Sequence, residues 1–190
     1  MTNHSRSHRT RLSDGNSLLN NTSLIRLFSS SIFLLIISSA AFAQPAAGTV
    51  TKLTLKSAVL GEERLVLVRT PAGYETNKLS YPVLYMTDGD AHMGHTASTI
   101  EFLTRNGCIP DLIVVGITNT DRTRDLTPVK STNKNAAGEL QFPTSGGADN
   151  FLKFIETELI PRIEKEYRVQ PYRILAGHSL GGTIRSPYDD

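Results

Sequence analysis

The chain has 190 residues, 39% hydrophobic and 20% charged, the composition of one globular domain able to bury a core, which excludes a collagen-like or intrinsically disordered chain. Its pI near 8.7 originates in the first 43 residues. Taking Arg6, Arg9, Arg11, Arg26 and Asp14 out of the 20 basic and 18 acidic residues leaves the remainder at −1, so neither a nucleic-acid-binding patch nor an anionic-membrane surface is expected.

Residues 1–43 have the parts of a secretory signal: arginines up to Arg26, an apolar run around Ile32 to Ile37, and the small-x-small site Ala41-Phe42-Ala43. The run from Ser31 to Ala43 falls short of the roughly 20 residues of a membrane span. Cleavage after Ala43 is expected, giving a periplasmic or secreted domain over residues 44–190 with no stable membrane insertion; an uncleaved anchor is the alternative reading.

Val50 to Leu60 alternates apolar and polar residues, Gly61-Glu62 interrupts, and Arg64 to Arg69 resumes, which predicts an antiparallel hairpin. Tyr81 to Met86 and Asp111 to Ile117 are dense apolar runs of the kind found in strands covered on both faces. Between them Thr87 to His92 reads as a turn, and about Thr96 to Arg105 as a helix with Ile100 and Leu103 on one side. Strand, helix, strand implies an α/β fold with a mostly parallel sheet behind the N-terminal hairpin. Cys108 falls in the connection Asn106–Pro110 and reads as a small buried apolar residue. As the only cysteine, it excludes an intrachain disulfide.

Residues 118–147 are polar and without periodicity, long enough for a functional loop. Within it, Arg122 and Arg124 admit two readings, substrate-facing cations or charges satisfied by solvent or by Asp121 and Asp125. Ala148 to Tyr167 places Phe151, Phe154, Ile155, Leu159 and Ile163 at helical spacing, with Pro161 expected to kink or divide the helix. Arg173 to Ala176 then reads as a short buried strand.

That strand runs into Gly177-His178-Ser179-Leu180-Gly181-Gly182, the frame of a nucleophile elbow, in which a sharp strand-to-helix turn exposes the serine beside potential oxyanion donors. Glycines are wanted at 177 and 181 because the serine's backbone is strained and the following helix passes close to the strand. Asp88, Asp90 and His92 alternate in a way that suggests a metal site, but three ligands in fixed geometry are not evident and a glycine-centred turn is preferred. No metal or cofactor is expected.

Four segments, Tyr81–Asp90, Asp121–Pro128, Gly146–Pro161 with Tyr167-Arg168, and Gly177–Gly182, make the chain resemble the esterase branch of the α/β-hydrolases, which includes siderophore (enterochelin-type) esterases and S-formylglutathione hydrolase-like enzymes. The resemblance runs from about Thr49 to Gly182. It implies the α/β-hydrolase fold and hydrolysis of a small-molecule carboxylic ester through an acyl-enzyme on Ser179. It also implies oxyanion donors at the Leu180 amide and at the Asp90 amide, with Gly89 as the close alternative, and a pocket-wall role for His178.

In this fold the order is nucleophile, acid, histidine. Eleven residues follow Ser179, none of them histidine, so the C-terminal part of the fold is expected to be missing and the activity of the chain to be impaired. A sheet without its later strands would also expose an edge and invite aggregation. The alternatives are an exported non-catalytic ligand-binding domain, or an acyltransferase of the same fold.

Overall fold

A computed structural model describes residues 48–184; the leader, the proposed cleavage site and residues 185–190 lie outside the described residues. Strands β1 (Val50–Ser57) and β2 (Glu62–Arg69) form the expected antiparallel hairpin, with Val50 opposite Arg69 and Ser57 opposite Glu62. Gly61 turns it at φ 68°, a left-handed value that favours glycine. Strands β3 (Tyr81–Met86), β4 (Ile113–Ile117) and β5 (Val169–Ala176) complete one sheet in the order β1-β2-β4-β3-β5. Both neighbours of β2 pair with it antiparallel, and β4, β3 and β5 are mutually parallel. Four strands therefore run one way and β2 alone opposes them.

The dense apolar runs become the sheet's covered centre. Val83, Tyr85, Ile113, Val115 and Ile117 face a core with Leu126, Phe151, Phe154, Leu159 and Ile163. Met86 and Val114 face the other way and pack with Met93 and Ile100. These latter residues belong to helix α1 (Gly89–Arg105). The opposite layer holds α2 (Arg122–Leu126), α3 (Ala148–Phe154) and α4 (Ile160–Glu166).

Four expectations change. Helix α1 starts at Gly89, seven residues before the predicted start, because Asp88 takes a left-handed backbone and Gly89 packs directly on β4: a Cβ there would lie 2.4 Å from the Gly116 carbonyl carbon. The polar loop contains α2 and a bridge between Lys134 and Leu140. The helical stretch is divided just ahead of Pro161, as expected: α3 and α4 flank the turn Ile155–Leu159, which widens to π geometry with the Ile160 amide donating to the Ile155 carbonyl five residues back, and Pro161 sits in the first turn of α4, where its missing N–H is tolerated. Strand β5 is longer than Arg173–Ala176 and mostly exposed rather than buried, since it pairs only with β3 among the described residues; Tyr172 and Leu175 face solvent. Cys108 is likewise exposed, in the turn where Gly107 takes φ 70°.

Helix α2 is anchored by charge. Arg64 on β2 and Asp125 on α2 are each 1% exposed and meet at 2.6 Å; Arg64 also donates to Glu62 and to the Thr118 carbonyl, and lies over the Phe151 ring. Arg124 donates to both Glu62 and Asp125. Two cations and two carboxylates thus form one network that fixes α2 against β2. Replacing Asp125 with Ala would leave the Arg64 guanidinium buried opposite no carboxylate on α2 and should destabilise the fold by about 3–5 kcal/mol, read from the urea midpoint. Arg124→Ala, at a side chain 31% exposed, should cost about 1 kcal/mol or less.

Candidate active site

The nucleophile candidate stands where β5 ends. Ser179 has φ 55°, one of two non-glycine residues in the left-handed region among the described residues, and it is exposed. A short 3-10 turn, Ser179–Thr183, follows it, with the Gly181 amide donating to the His178 carbonyl at 2.9 Å. The steric logic read for Gly177 and Gly181 holds at both. A Cβ on Gly177 would lie 2.1 Å from the Gly181 carbonyl oxygen, and one on Gly181 would lie 2.3 Å from the Thr87 hydroxyl. At Gly182 the nearest atom would be 3.7 Å away, so glycine is not required there. Leu180, after Ser179, is half-buried against the core.

Across from the elbow lies the first turn of α1. The Ala91 and His92 amides both donate to the Asp88 carbonyl at 3.0 Å. The amides of Gly89 and Asp90 are the first two of a 17-residue helix and have no intrahelical acceptor, leaving two donors at the positive end of the helix dipole. Asp88, the other left-handed residue at φ 56°, is 3% exposed. Its carboxylate accepts from Arg122 Nε at 2.5 Å and Nη2 at 3.0 Å, and from the Asn119 amide at 2.7 Å. Burial works against the charge on Asp88, but the hydrogen bonds from Arg122 and Asn119 outweigh it and hold its pKa below the usual carboxylate value. Asn119 also donates to Asp90, so the two carboxylates are tied through an amide rather than arranged with His92 as ligands. Among the described residues no group of three His, Cys, Asp or Glu is placed to hold a metal ion.

The arginines of the polar loop are committed within the chain. Arg122 reaches Asp88 and also donates to the His178 carbonyl at 3.3 Å; Arg124 is spent on Glu62 and Asp125. Asp121, expected as a local partner, instead caps α2 by accepting the Arg124 amide. The ion-pair reading therefore describes both side chains, and the distant carboxylates Asp88 and Glu62 were not foreseen.

His178 packs edge-on against His92, with ring centroids 5.3 Å apart, and His92 against His95 at 5.0 Å. The three imidazoles border a hollow of about 180 Å³ with Met86 and Thr87. His92 and His95, one helical turn apart, were readable as neighbours, whereas their meeting with His178 depends on β3 and β5 pairing in parallel. Behind the elbow, on the opposite face of the sheet, a groove of about 710 Å³ is bordered by Tyr85, Glu156, Arg173, Gly177 and Gly181. The Tyr85 hydroxyl has no partner there, and burial first, then the nearby Glu164 carboxylate, push its pKa up.

Comparison with known proteins gives one consistent picture. Residues 57–184 match the esterase family model described as "Putative esterase". The chain is 33% identical over 115 residues to ferri-bacillibactin esterase BesA of Bacillus subtilis, and 33% over 110 residues to apo-salmochelin esterase of Escherichia coli O6:H1. Those alignments take in 54% of this chain in both cases, and span 40% and 35% of the two relatives. Among solved structures, an IroE-like serine hydrolase from Shewanella oneidensis superposes with a TM-score of 0.66 at 38% identity, over 72% of this chain and 44% of that one. The BES protein of Bacillus cereus gives 0.62 at 26% identity, over 74% and 57%.

Gly177→Ala should destabilise the domain by about 2–3 kcal/mol while Gly182→Ala stays within about 0.5 kcal/mol, both measured by urea unfolding; equal costs would contradict the close approach at Gly177. The second expectation concerns pH. Asp88 and Glu62 both titrate below their ordinary values in the folded state, so their stabilisation is full above about pH 4, the unfolded value, and is lost as pH falls through the lowered folded values. Thermal scans should show a midpoint insensitive to these groups from pH 7 to 5 and falling below about pH 4, with a shallower fall in Asp88→Asn.

Proposed function

The chain belongs to the esterase family of the α/β-hydrolases, and from that premise we propose that Ser179 attacks the carbonyl carbon of a small-molecule carboxylic ester and takes its acyl group. The observation that carries this reading is the left-handed Ser179 held between Gly177 and Gly181, whose backbones approach too closely for any side chain. The developing oxyanion would meet the Leu180 amide on one side and the Asp90 amide, with Gly89 beside it, on the other. Collapse of the tetrahedral intermediate breaks the ester C–O bond; the alcohol leaves with a proton and the acyl group stays on Ser179. The names of the two curated relatives, both siderophore esterases, support a siderophore-type ester as the substrate class. The basic and apolar leader before Ala43 supports an exported location.

The serine's proton needs an acceptor. No histidine follows Ser179 in the 190 residues, and the imidazoles of His92, His95 and His178 pack against one another. We therefore expect impaired turnover from these 190 residues, since loss of a triad base lowers turnover by a factor on the order of 10⁶. Incubating the leaderless chain with p-nitrophenyl acetate should release about one equivalent of nitrophenol slowly, with matching acetylation of Ser179 by mass spectrometry and none in Ser179→Ala. Sustained turnover abolished by Ser179→Ala would overturn the impairment, and absence of any Ser179-dependent release would overturn the esterase reading.

A further inference from the structure

Two residues of the site adopt a backbone that side chains disfavour, Asp88 at φ 56° and Ser179 at φ 55°, and they are the only non-glycine residues to do so among the described residues. They belong to different strand ends, those of β3 and β5, and each heads one wall of the site. Strained conformations persist when surrounding structure over-determines them. One side chain touches Asp88 and the residue before Ser179. The Arg122 guanidinium grips the Asp88 carboxylate with two N–H groups and, through Nη2, donates to the carbonyl of His178, the residue that immediately precedes Ser179. That carbonyl is also the acceptor of the Gly181 amide that closes the elbow turn.

We propose that Arg122 is a positioning residue that locks the turn presenting the Gly89 and Asp90 amides to the turn presenting Ser179. Three features make it a strut and not a surface charge. Its partner Asp88 is 3% exposed and needs a cation. The bidentate contact uses the planar fork of arginine, which lysine cannot reproduce. Its own platform is rigid: α2 is capped by Asp121, tied to the Gly147 amide through the Arg124 carbonyl, and pinned to β2 by the Arg64, Glu62, Arg124 and Asp125 network. A serine and its oxyanion donors must keep their separation to within a fraction of an ångström, a displacement of about 1 Å being able to cost on the order of a hundredfold in rate.

The inference rests on the esterase reading for its effect on rate, but its geometry is testable without turnover. In the leaderless chain at neutral pH, amide hydrogen exchange followed by NMR should be at least about tenfold faster in Arg122→Lys at Ala91 and His92 and, together with them, at Gly181. Amides of β4 and the Asp125 amide within α2 should keep their rates. In Arg122→Ala the same three amides should exchange faster and recover protection when tens of millimolar guanidinium chloride is added, whereas Arg124→Ala should show no such rescue. Acceleration confined to one turn, acceleration spread through the sheet, or a lysine variant as protected as the parent would each overturn the strut. A parallel measurement of Ser179 acylation by p-nitrophenyl acetate should show a rate constant lower by about 10- to 100-fold with little change in the concentration for half-saturation. If the parent chain does not acylate, the esterase reading fails while the exchange data still decide the role of Arg122.

Discussion

The pair formed by Arg64 and Asp125 is the contact on which the site's geometry depends. Both side chains are 1% exposed, and a charge at that depth is tolerated only when paired and hydrogen-bonded. The pair joins β2 to a five-residue helix that is too short to be stable by itself. With Glu62 and Arg124 added, the helix becomes a fixed mount. From that mount Arg122 reaches 34 residues back in sequence to Asp88 and 56 residues forward to His178. A run of ion pairs on the hairpin and α2, continued by Arg122 on Asp88 and on the His178 carbonyl, therefore leads from β2 to the residue before Ser179.

Hydrophobic burial positions the strands but leaves the loops at their ends undetermined. The parallel pairs β4/β3 and β3/β5 bring Met86 level with Ala176 and with Gly116. The turns after β3 and β5 then start from the same edge of the sheet. Close backbone approach finishes the arrangement: Gly89 lies on Gly116, and Gly181 lies on Thr87. The two walls of the site thus contact the sheet through glycines and contact each other through Arg122 and through His92 packed against His178.

How much of this was legible in the sequence follows from the range of the forces involved. The strands β3 and β4 and the helical stretch from Ala148 were readable because burial imposes a period on a single segment. The elbow was readable because its glycines and serine lie within six residues. Helix α2 was not readable, since five residues show no period and its stability comes from Arg64 and Glu62, more than 50 residues earlier. The early start of α1 escaped because Asp88-Gly89-Asp90 has the composition of a turn, and only the contact with Gly116 shows why it is a helix. The division of the helix near Pro161 was readable from the missing N–H, but its form, one widened turn ahead of the proline, is a response that propensities do not encode. Strand β5 had been read as short and buried, whereas among the described residues it is longer and mostly exposed.

The exposure of β5 bears on how the strain at Ser179 is held. The strand leading into the elbow pairs on one side only among the described residues, and its faces border the hollow at His178 and the groove at Tyr85. A left-handed serine would relax if its neighbours allowed it. Three contacts restrain it: the Thr87 amide bonded to the Ala176 carbonyl, the Thr87 side chain under Gly181, and Arg122 on the His178 carbonyl. Two of them come from the end of β3 and one from α2. The geometry of Ser179 is thus held in part by residues 87 and 122, which is why the motif around Ser179 identifies the elbow without revealing what holds it.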